Sequence, residues 1–548
     1  MLPTQPLLIV VGLIIAGTIQ LAIIFTPEIP LGIPGEWQWS RHEFATPIKL
    51  AVAQFVPAVL GAAALLIVTT IGHRRLLLHH LQKTKDIPSQ RHGPHCLFTG
   101  ALLLSLVAGS LLWLKAVERC TPSLHSNLKS MWVLYDPSSS GYFHEAAFKI
   151  DSTSEFLSSY AARMEEGEVY HVGTHPPGLF LLSEWALQLC EKFPAVTNQL
   201  TAWMPRDVRD AFRSMEANVS LAQRLSDEQL AALFLLCELT TFAAAFTVIP
   251  LFYTLRHCFN ALIAWRATCL WTTLPCLAVF LPKSDVMFTL TSMSAVSFGT
   301  LALYSPQNML LRLTAAMTSG LVLWAGLMLS LAHLPVLALL GILFGFRFML
   351  DSRRQPEIPR RPVLAMSRGL IVFFAIPATI LVATVIFSSV TQCDMLAVWK
   401  MNISNHAGFY DQHTRTAWKW MFVNVLELGM MIGLPLAFAG ILGLIGLGFC
   451  NGRVHKSGVG VSENLSVDFA LSIVLTVGLL WLSGRNSGEA ARLWCFLTPW
   501  LLVFPAHLLR AETQSNGDRR PPRLWHSLLF IQLVVCVLTA GRVSGFTF

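Results

Sequence analysis

The chain has 548 residues, of which 54% are hydrophobic and only 13% charged, where an ordinary soluble domain carries about a quarter charged. These proportions exclude a water-soluble globule, and the apolar runs follow one another too closely for separate soluble cores, so 1–548 reads as a single polytopic membrane domain. The net charge of +8 comes from basic residues gathered in a few short loops, the pattern of membrane sidedness and not of a nucleic-acid surface.

Runs of about 17 to 25 apolar residues suffice to cross a hydrocarbon layer of about 30 Å. They recur near 6–26, 49–71, 97–115, 229–256, 261–281, 285–304, 313–331, 333–350, 366–389, 424–449, 467–483, 492–510 and 526–545. The expected fold is therefore an all-α integral membrane protein of about thirteen transmembrane helices, with amphipathic juxtamembrane helices in one large external loop. Away from the span ends, Glu238 and Arg266 are the exceptional charges.

The basic loops contain Arg74, Arg75, Lys83, Lys85 and Arg91, then Arg353, Arg354, Arg360 and Arg361, then Arg453 and Lys456, then Arg519, Arg520 and Arg523. Threading the spans puts all of them on one side, which the positive-inside rule makes cytoplasmic. The N-terminus is then cytoplasmic and the C-terminus extracytoplasmic, although the first span has no basic residue ahead of it. Four polar segments share the outer face: the loop 116–228, the turn Lys283-Ser284-Asp285, the loop 390–423 and the stretch 484–492. The chemistry is expected there.

Eleven cysteines lie mostly inside apolar runs without a CxxC pair, which excludes a disulfide scaffold. Cys120 and Cys190 fall in the same external loop, so a bridge between them and two buried thiols are both open readings.

Within the large loop, the turn-rich stretch from Tyr135 to Glu145 carries Asp136 and Glu145, together with Tyr142 and His144. Asp136 as a turn cap and Glu145 as a solvated side chain is the alternative to a catalytic role. Ser152-Thr153-Ser154-Glu155 has the pattern of a capping box. It opens an amphipathic helix over 152–166, with Phe156, Leu157, Tyr160, Ala161 and Met164 on one stripe and Gly167 as the stop. The stripe fits either the membrane surface or the protein body. Next stands His171-Val172-Gly173-Thr174-His175-Pro176-Pro177-Gly178. The two prolines disfavour a helical His-x-x-x-His zinc pair and favour a rigid turn that presents His175.

An acidic segment after an early span, an amphipathic helix ending at Gly167, and His175-Pro176-Pro177 together resemble the GT-C superfamily of polyprenyl-phosphate-sugar glycosyltransferases, which includes protein mannosyltransferases and lipid A aminoarabinose transferases. Pro282-Lys283-Ser284-Asp285 is similar to an acidic turn between later spans of that superfamily, and Asn405 to Tyr410 with Asn424 and Glu427 is similar to a segment of its bacterial polytopic members. Gly488-Glu489-Ala490-Ala491-Arg492-Leu493-Trp494, with Pro499, resembles a late motif of the same proteins. The sequence departs from the pattern in an extra opening pair of spans and in lacking adjacent acids in the first external loop, which leaves Asp136 and Glu145 as alternatives for one role.

The resemblance implies transfer of a sugar from a polyprenyl-phosphate donor to an acceptor hydroxyl of a glycan, lipid or protein, with inversion, at the extracytoplasmic face of a bacterial plasma (inner) membrane. Asp136 or Glu145 would be the general base, a role that accelerates such a step by about 100- to 10,000-fold. Arg492, His175, Lys283 and His406 would hold the donor phosphate, and Tyr142, His144, His171, Asp285, Asn405 and Glu489 would support them. No resident cofactor is implied, and a divalent cation is compatible with the pattern. The rival reading is a lipid-linked-sugar flippase or other transporter, for which charged or broken helices near the bilayer midplane would speak. A membrane O-acyltransferase has only scattered histidines in its favour.

Overall fold

The computed structural model describes residues 6–43, 48–83, 94–121, 129–167, 172–217, 220, 223–304, 308–354, 361–454, 461–484, 486–516 and 523–546. Lys85, Arg91, His171, Asn218, Arg360, Lys456, Arg519 and Arg520 lie outside them. The protein is an all-helical, multi-pass membrane protein: among the described residues, eleven helices are long and apolar enough to cross a bilayer, as the runs of apolar residues require.

The remaining two expected spans are broken. Ala417–Ile432 and Leu434–Leu447 meet at an angle of 106°, where Gly433 takes a φ of 97° and Pro435 follows. Such a break frees backbone groups that lipid cannot satisfy. Two buried glutamines supply partners: Gln20 Nε2 donates to the Met430 carbonyl at 2.8 Å and its Oε1 accepts from Leu434 N at 2.7 Å, while Gln532 Nε2 donates to the Ile432 carbonyl at 2.5 Å. A Cβ on Gly433 would lie 2.2 Å from that Gln532 nitrogen, so glycine is required by space as well as by φ. The stretch expected as one span over 492–510 is instead Ala490–Leu493, a 3-10 turn at Cys495–Leu497, Thr498–Leu501 and Val503–Asn516. Pro499 and Pro505 stand in it, each removing a backbone donor.

Glu238 and Arg266 are partnered. Glu238 Oε1 lies 2.6 Å from Lys115 Nζ. Arg266 donates to Thr513 Oγ1 at 2.8 Å and to His73 Nδ1 at 3.4 Å.

The large loop folds on its own small core, in which Met131, Tyr135, Phe143, Leu187, Leu200 and Phe212 pack against the N-terminal half of the Asp227–Phe246 helix. Its amphipathic stretch is two short helices, Thr153–Ser158 and Tyr160–Glu165, and not one. Phe156, Leu157, Tyr160 and Met164 are buried in the main core, so the stripe covers the protein body and not the membrane surface. Cys120 and Cys190 are buried free thiols, with no bridge between them. Asn402, which opens an Asn-x-Ser sequon, is buried inside the protein.

Short strands close the structure at one end: Ser40–Arg41, just after the first helix, pair antiparallel with Val543–Ser544, just after the last. The outlets of the first and last helices therefore share an end of the bundle.

Candidate active site

At that end a cavity of about 1290 Å³ opens. Its lining comes from Gly35 to Ser40, from Ser138 to Tyr142 with Thr174 and His175, from Lys283 to Asp285, from Ser330 to Pro335, from Asn402 to Arg415, from Ser483 to Leu493 and from Ser544 to Phe546. Two apolar crossings separate each of these segments from the next once the bent pair and the broken 490–516 stretch are counted as crossings. The outward-facing segments inferred from the basic loops are thus the ones that converge.

The inner part of the cavity holds two cations and two acids. Lys283 is 6% exposed and, among the described residues, makes no ion pair or hydrogen bond through its ammonium group. Burial pushes that group down to about 8, with the charge of Arg492 adding to the effect. Asp285 stands in the first turn of Ser284–Tyr304, with Oδ2 3.7 Å from Arg492 Nε. Glu489 Oε2 lies 3.0 Å from Arg492 Nη2. This acid sits in a strained turn, with φ positive at Gly484 (65°), Asn486 (62°), Gly488 (94°) and Glu489 itself (56°). Asn424 holds the turn from behind, donating to the Asn486 carbonyl at 3.1 Å and accepting from Gly488 N at 3.4 Å.

His175 reaches the cavity because its turn is tied on two sides. Tyr160 Oη donates to the His175 carbonyl at 2.7 Å. From the Met395–Gln412 helix, Asn402 Nδ2 donates to the Thr174 carbonyl at 2.5 Å, and Asn405 Nδ2 donates to the carbonyls of Met164 at 2.8 Å and Gly173 at 2.9 Å. One helical turn apart, the two asparagines act as a clamp on the turn. Tyr142, the first residue of Tyr142–Lys149, meets the His175 ring edge-on with centroids 5.3 Å apart. His406 lines the cavity with its ring stacked on Tyr410, centroids 5.8 Å apart.

A second cluster was not anticipated from the sequence. The strand pair Gly32–Ile33 and Trp37–Gln38 forms a hairpin over the cavity, and its Glu36 carboxylate accepts from Thr416 N at 2.8 Å, Thr416 Oγ1 at 2.5 Å and Trp420 Nε1 at 2.7 Å. Burial would raise this carboxyl, but those hydrogen bonds from Thr416 and Trp420, with Lys419 nearby, hold it below its ordinary value. Arg415 lines the cavity beside it. An isolated acid in an early loop and an arginine before a span give no sequence signal of their meeting.

Two expected residues are placed elsewhere. Asp136 caps its own turn, accepting from Ser139 N at 2.9 Å and from Ser138 Oγ. Glu145 pairs with Lys149 one helical turn away at 2.5 Å. Neither lines the cavity, and the physical reason is that each finds its hydrogen-bond partners within its own segment. His144 stacks on Phe148 and also stays out of the lining, as does Asn405, whose part is the clamp. Of the expected residues, Arg492, His175, Lys283, His406, Tyr142, Asp285 and Glu489 are brought together.

No family model and no curated protein matches this sequence. Among solved structures, the archaeal oligosaccharyltransferase AglB from Archaeoglobus fulgidus, in complex with an inhibitory peptide and a dolichol-phosphate, is similar at a TM-score of 0.41 and 10% identity, over 82% of this chain and 57% of that one. This chain thus spans less than two thirds of that protein's length, and a likeness at this level carries no functional inference.

From the charged cluster the lining continues into apolar side chains: Leu334 and Ala338, Ile403, and Thr476, Leu479 and Leu480 on one face of Val461–Leu482. Leu334, Ile403 and Leu479, which line the cavity, are 43%, 49% and 60% exposed. The cavity therefore has an apolar wall beside its charged cluster. Among the described residues, no group of three His, Cys, Asp or Glu side chains is placed to hold a metal ion. Asp285 and Glu489 both face Arg492, a donor set that does not fit a divalent cation beside it.

Proposed function

We propose that this protein is a membrane glycosyltransferase of the GT-C type. It takes a sugar from a polyprenyl-phosphate donor and transfers it to an acceptor hydroxyl on the extracytoplasmic face. The observation that carries the reading is a buried lysine, Lys283, whose ammonium group makes no close ion pair or hydrogen bond among the described residues, beside Arg492 and Asp285 in a cavity with an apolar arm. A buried ammonium without a direct contact is costly unless a ligand anion completes it, and an amphiphile with a phosphate head and an isoprenoid tail matches both parts of the cavity.

In this reading the acceptor oxygen forms a bond to the anomeric carbon while the bond from that carbon to the donor phosphate oxygen breaks, which inverts the centre. The acceptor proton passes to Asp285, which stands 3.7 Å from Arg492 and two residues from Lys283 and makes the looser of the two carboxylate contacts with Arg492. The charge that develops on the departing lipid phosphate is met by Lys283 and Arg492, with His175 and His406 as further donors, in a site of low dielectric where such contacts count most. The base is thus assigned to Asp285 in place of Asp136 or Glu145. Basic residues at the opposite end of the bundle, Arg74 and Arg75 among them, support an extracytoplasmic cavity.

The test is reconstitution in liposomes with a labelled polyprenyl-phosphate sugar and a panel of lipid, glycan and peptide acceptors. Labelled product is expected with wild-type protein and not with Lys283→Gln. Donor binding and transfer unchanged in Lys283→Gln would overturn the reading.

A further inference from the structure

The cations that face the cavity differ in what surrounds them. Arg492 has a carboxylate on either side, so the inner cluster of Lys283, Arg492, Asp285 and Glu489 is balanced in charge. Arg415, on the link between Met395–Gln412 and Ala417–Ile432, has no such flanking carboxylate among the side chains described. One of its N–H groups donates to the Glu36 carbonyl oxygen, and its guanidinium lies over the Trp420 ring, 5.8 Å from the centroid. Its Nε is buried without a hydrogen bond. Among the carboxylates whose side chains are described, none lies within salt-bridge distance of it. The neighbouring Glu36 carboxylate is turned to Thr416, Trp420 and Lys419.

The turn next to it leaves room. Gly488, at φ 94°, is placed so that a Cβ would come 3.4 Å from Arg415 Nε, and any side chain there would crowd that edge of the guanidinium. A guanidinium has five N–H donors in a rigid plane, and here a carbonyl and an aromatic ring fix its position without neutralising it. That combination suits bidentate recognition of a phosphate or carboxylate.

We propose that Arg415 forms a second anion subsite in the cavity, which takes an anionic group of the substrates other than the donor phosphate held at Lys283 and Arg492. The proposal rests on the reading of the cavity as a lipid-phosphate site and narrows its substrate class. The group is either the second phosphate of a diphosphate-linked donor or an acid carried by the acceptor.

Binding of two lipid pairs to the full-length protein in detergent, followed by native mass spectrometry, separates these sources. One pair is polyprenyl phosphate and polyprenyl diphosphate; the other is a glucose-terminated and a glucuronate-terminated glycolipid. Wild-type protein is expected to favour the more anionic member of one pair by about tenfold, the worth of a charge-assisted contact, and Arg415→Gln to abolish that preference. The pair that shows it names the source. Arg415→Lys keeps the charge without the fork and is expected to retain only part of the preference, which decides the matter should Arg415→Gln fail to fold. No preference in either pair, or a preference undiminished in the variants, overturns the proposal. Absence of all polyprenyl phosphate binding to wild-type protein would instead sink the parent reading, while the glycolipid pair would still report on Arg415.

Discussion

The segment from Asp136 to Lys149 and the turn from Lys283 to Asp285 both carry acids and a lysine at the same end of the bundle and both contribute to the cavity lining, yet only the second does so with its charged side chains. In the first, chain chemistry satisfies every charge close by: a turn hydroxyl and amide take Asp136, and Lys149 takes Glu145. In the second, a three-residue link between two apolar helices has no room for such close partners, and Lys283 is left buried without a direct hydrogen bond or ion pair among the described residues. The difference is one of solvation. A charge in a long polar loop can be completed by its neighbours, whereas one held at the mouth of apolar helices is completed by what binds.

The sharpest way to break that comparison is to neutralise acids on both sides of it. Asp285→Asn is expected to lower turnover by about 100- to 10,000-fold, the worth of a positioned base, with lipid-phosphate binding retained. Asp136→Asn and Glu145→Gln, which disturb a turn cap and a partly exposed pair, should leave turnover within about threefold. Single-turnover transfer in proteoliposomes measures all three. A loss in Asp136→Asn as deep as in Asp285→Asn would return the base to the loop.

Lys283 gives the next largest effect. Removing one charge-assisted phosphate contact costs about 1.5–3 kcal/mol, so Lys283→Gln should weaken donor binding about 10- to 100-fold. The pH dependence has a definite sign. With its ammonium group pushed down to about 8 by burial, Lys283 is charged below that value and neutral above it. The kcat/KM for donor should therefore fall as pH rises through about 8, and Lys283→Arg should carry it to higher pH. Stability moves the other way. Between about 8 and the ordinary value of 10.5 the unfolded chain binds more protons at this group than the folded one, so its contribution to stability rises with pH.

Much of this was legible in the sequence, and what was not has physical causes. Apolar runs and basic loops located the crossings and grouped the segments that meet, because the bilayer sorts residues by transfer free energy regardless of tertiary detail. The broken crossings were harder: Gly433 with Pro435, and Pro499 with Pro505, are visible in the sequence, but their cost is met by Gln20 and Gln532 from the first and last helices, which no local pattern reveals. In the site, Lys283, Asp285, Glu489 and Arg492 could be picked out because charge beside apolar runs is rare. Asp136 and Glu145 stand out by residue type and by their place in a turn-rich stretch after an early span, neither of which shows where their side chains point. Glu36 and Arg415, 379 positions apart, depend on a contact that only the fold creates.

A smaller effect tests the clamp on the His175 turn. Asn402 is 4% exposed, and its loss leaves the Thr174 carbonyl without that donor, as the loss of Asn405 does for Met164 and Gly173. An unsatisfied buried group costs about 1–3 kcal/mol, so Asn402→Ala and Asn405→Ala should each lower the thermal midpoint. If the clamp positions His175, kcat should fall further than the loss of folded protein explains, with donor affinity little changed. Equal losses in kcat and in folded fraction would mean that the clamp is structural only.

The smallest expected effect concerns the hairpin over the cavity, whose tip is fastened by the Glu36 carboxylate to Thr416 and Trp420. The hydrogen bonds hold this carboxyl below its ordinary value of 4.5, so its contribution to stability is present above that value and is lost as pH falls through the lower, folded one. Glu36→Gln should therefore lower the thermal midpoint at neutral pH, and the gap from wild type should close on acidification. The emission of Trp37 and Trp39, which line the cavity next to the latch, should shift in the variant at neutral pH toward that of acidified wild type. A gap that persists in acid would show that the amide fails through packing instead of charge, and would set the hairpin with the Asp136 segment, among charges that serve structure alone.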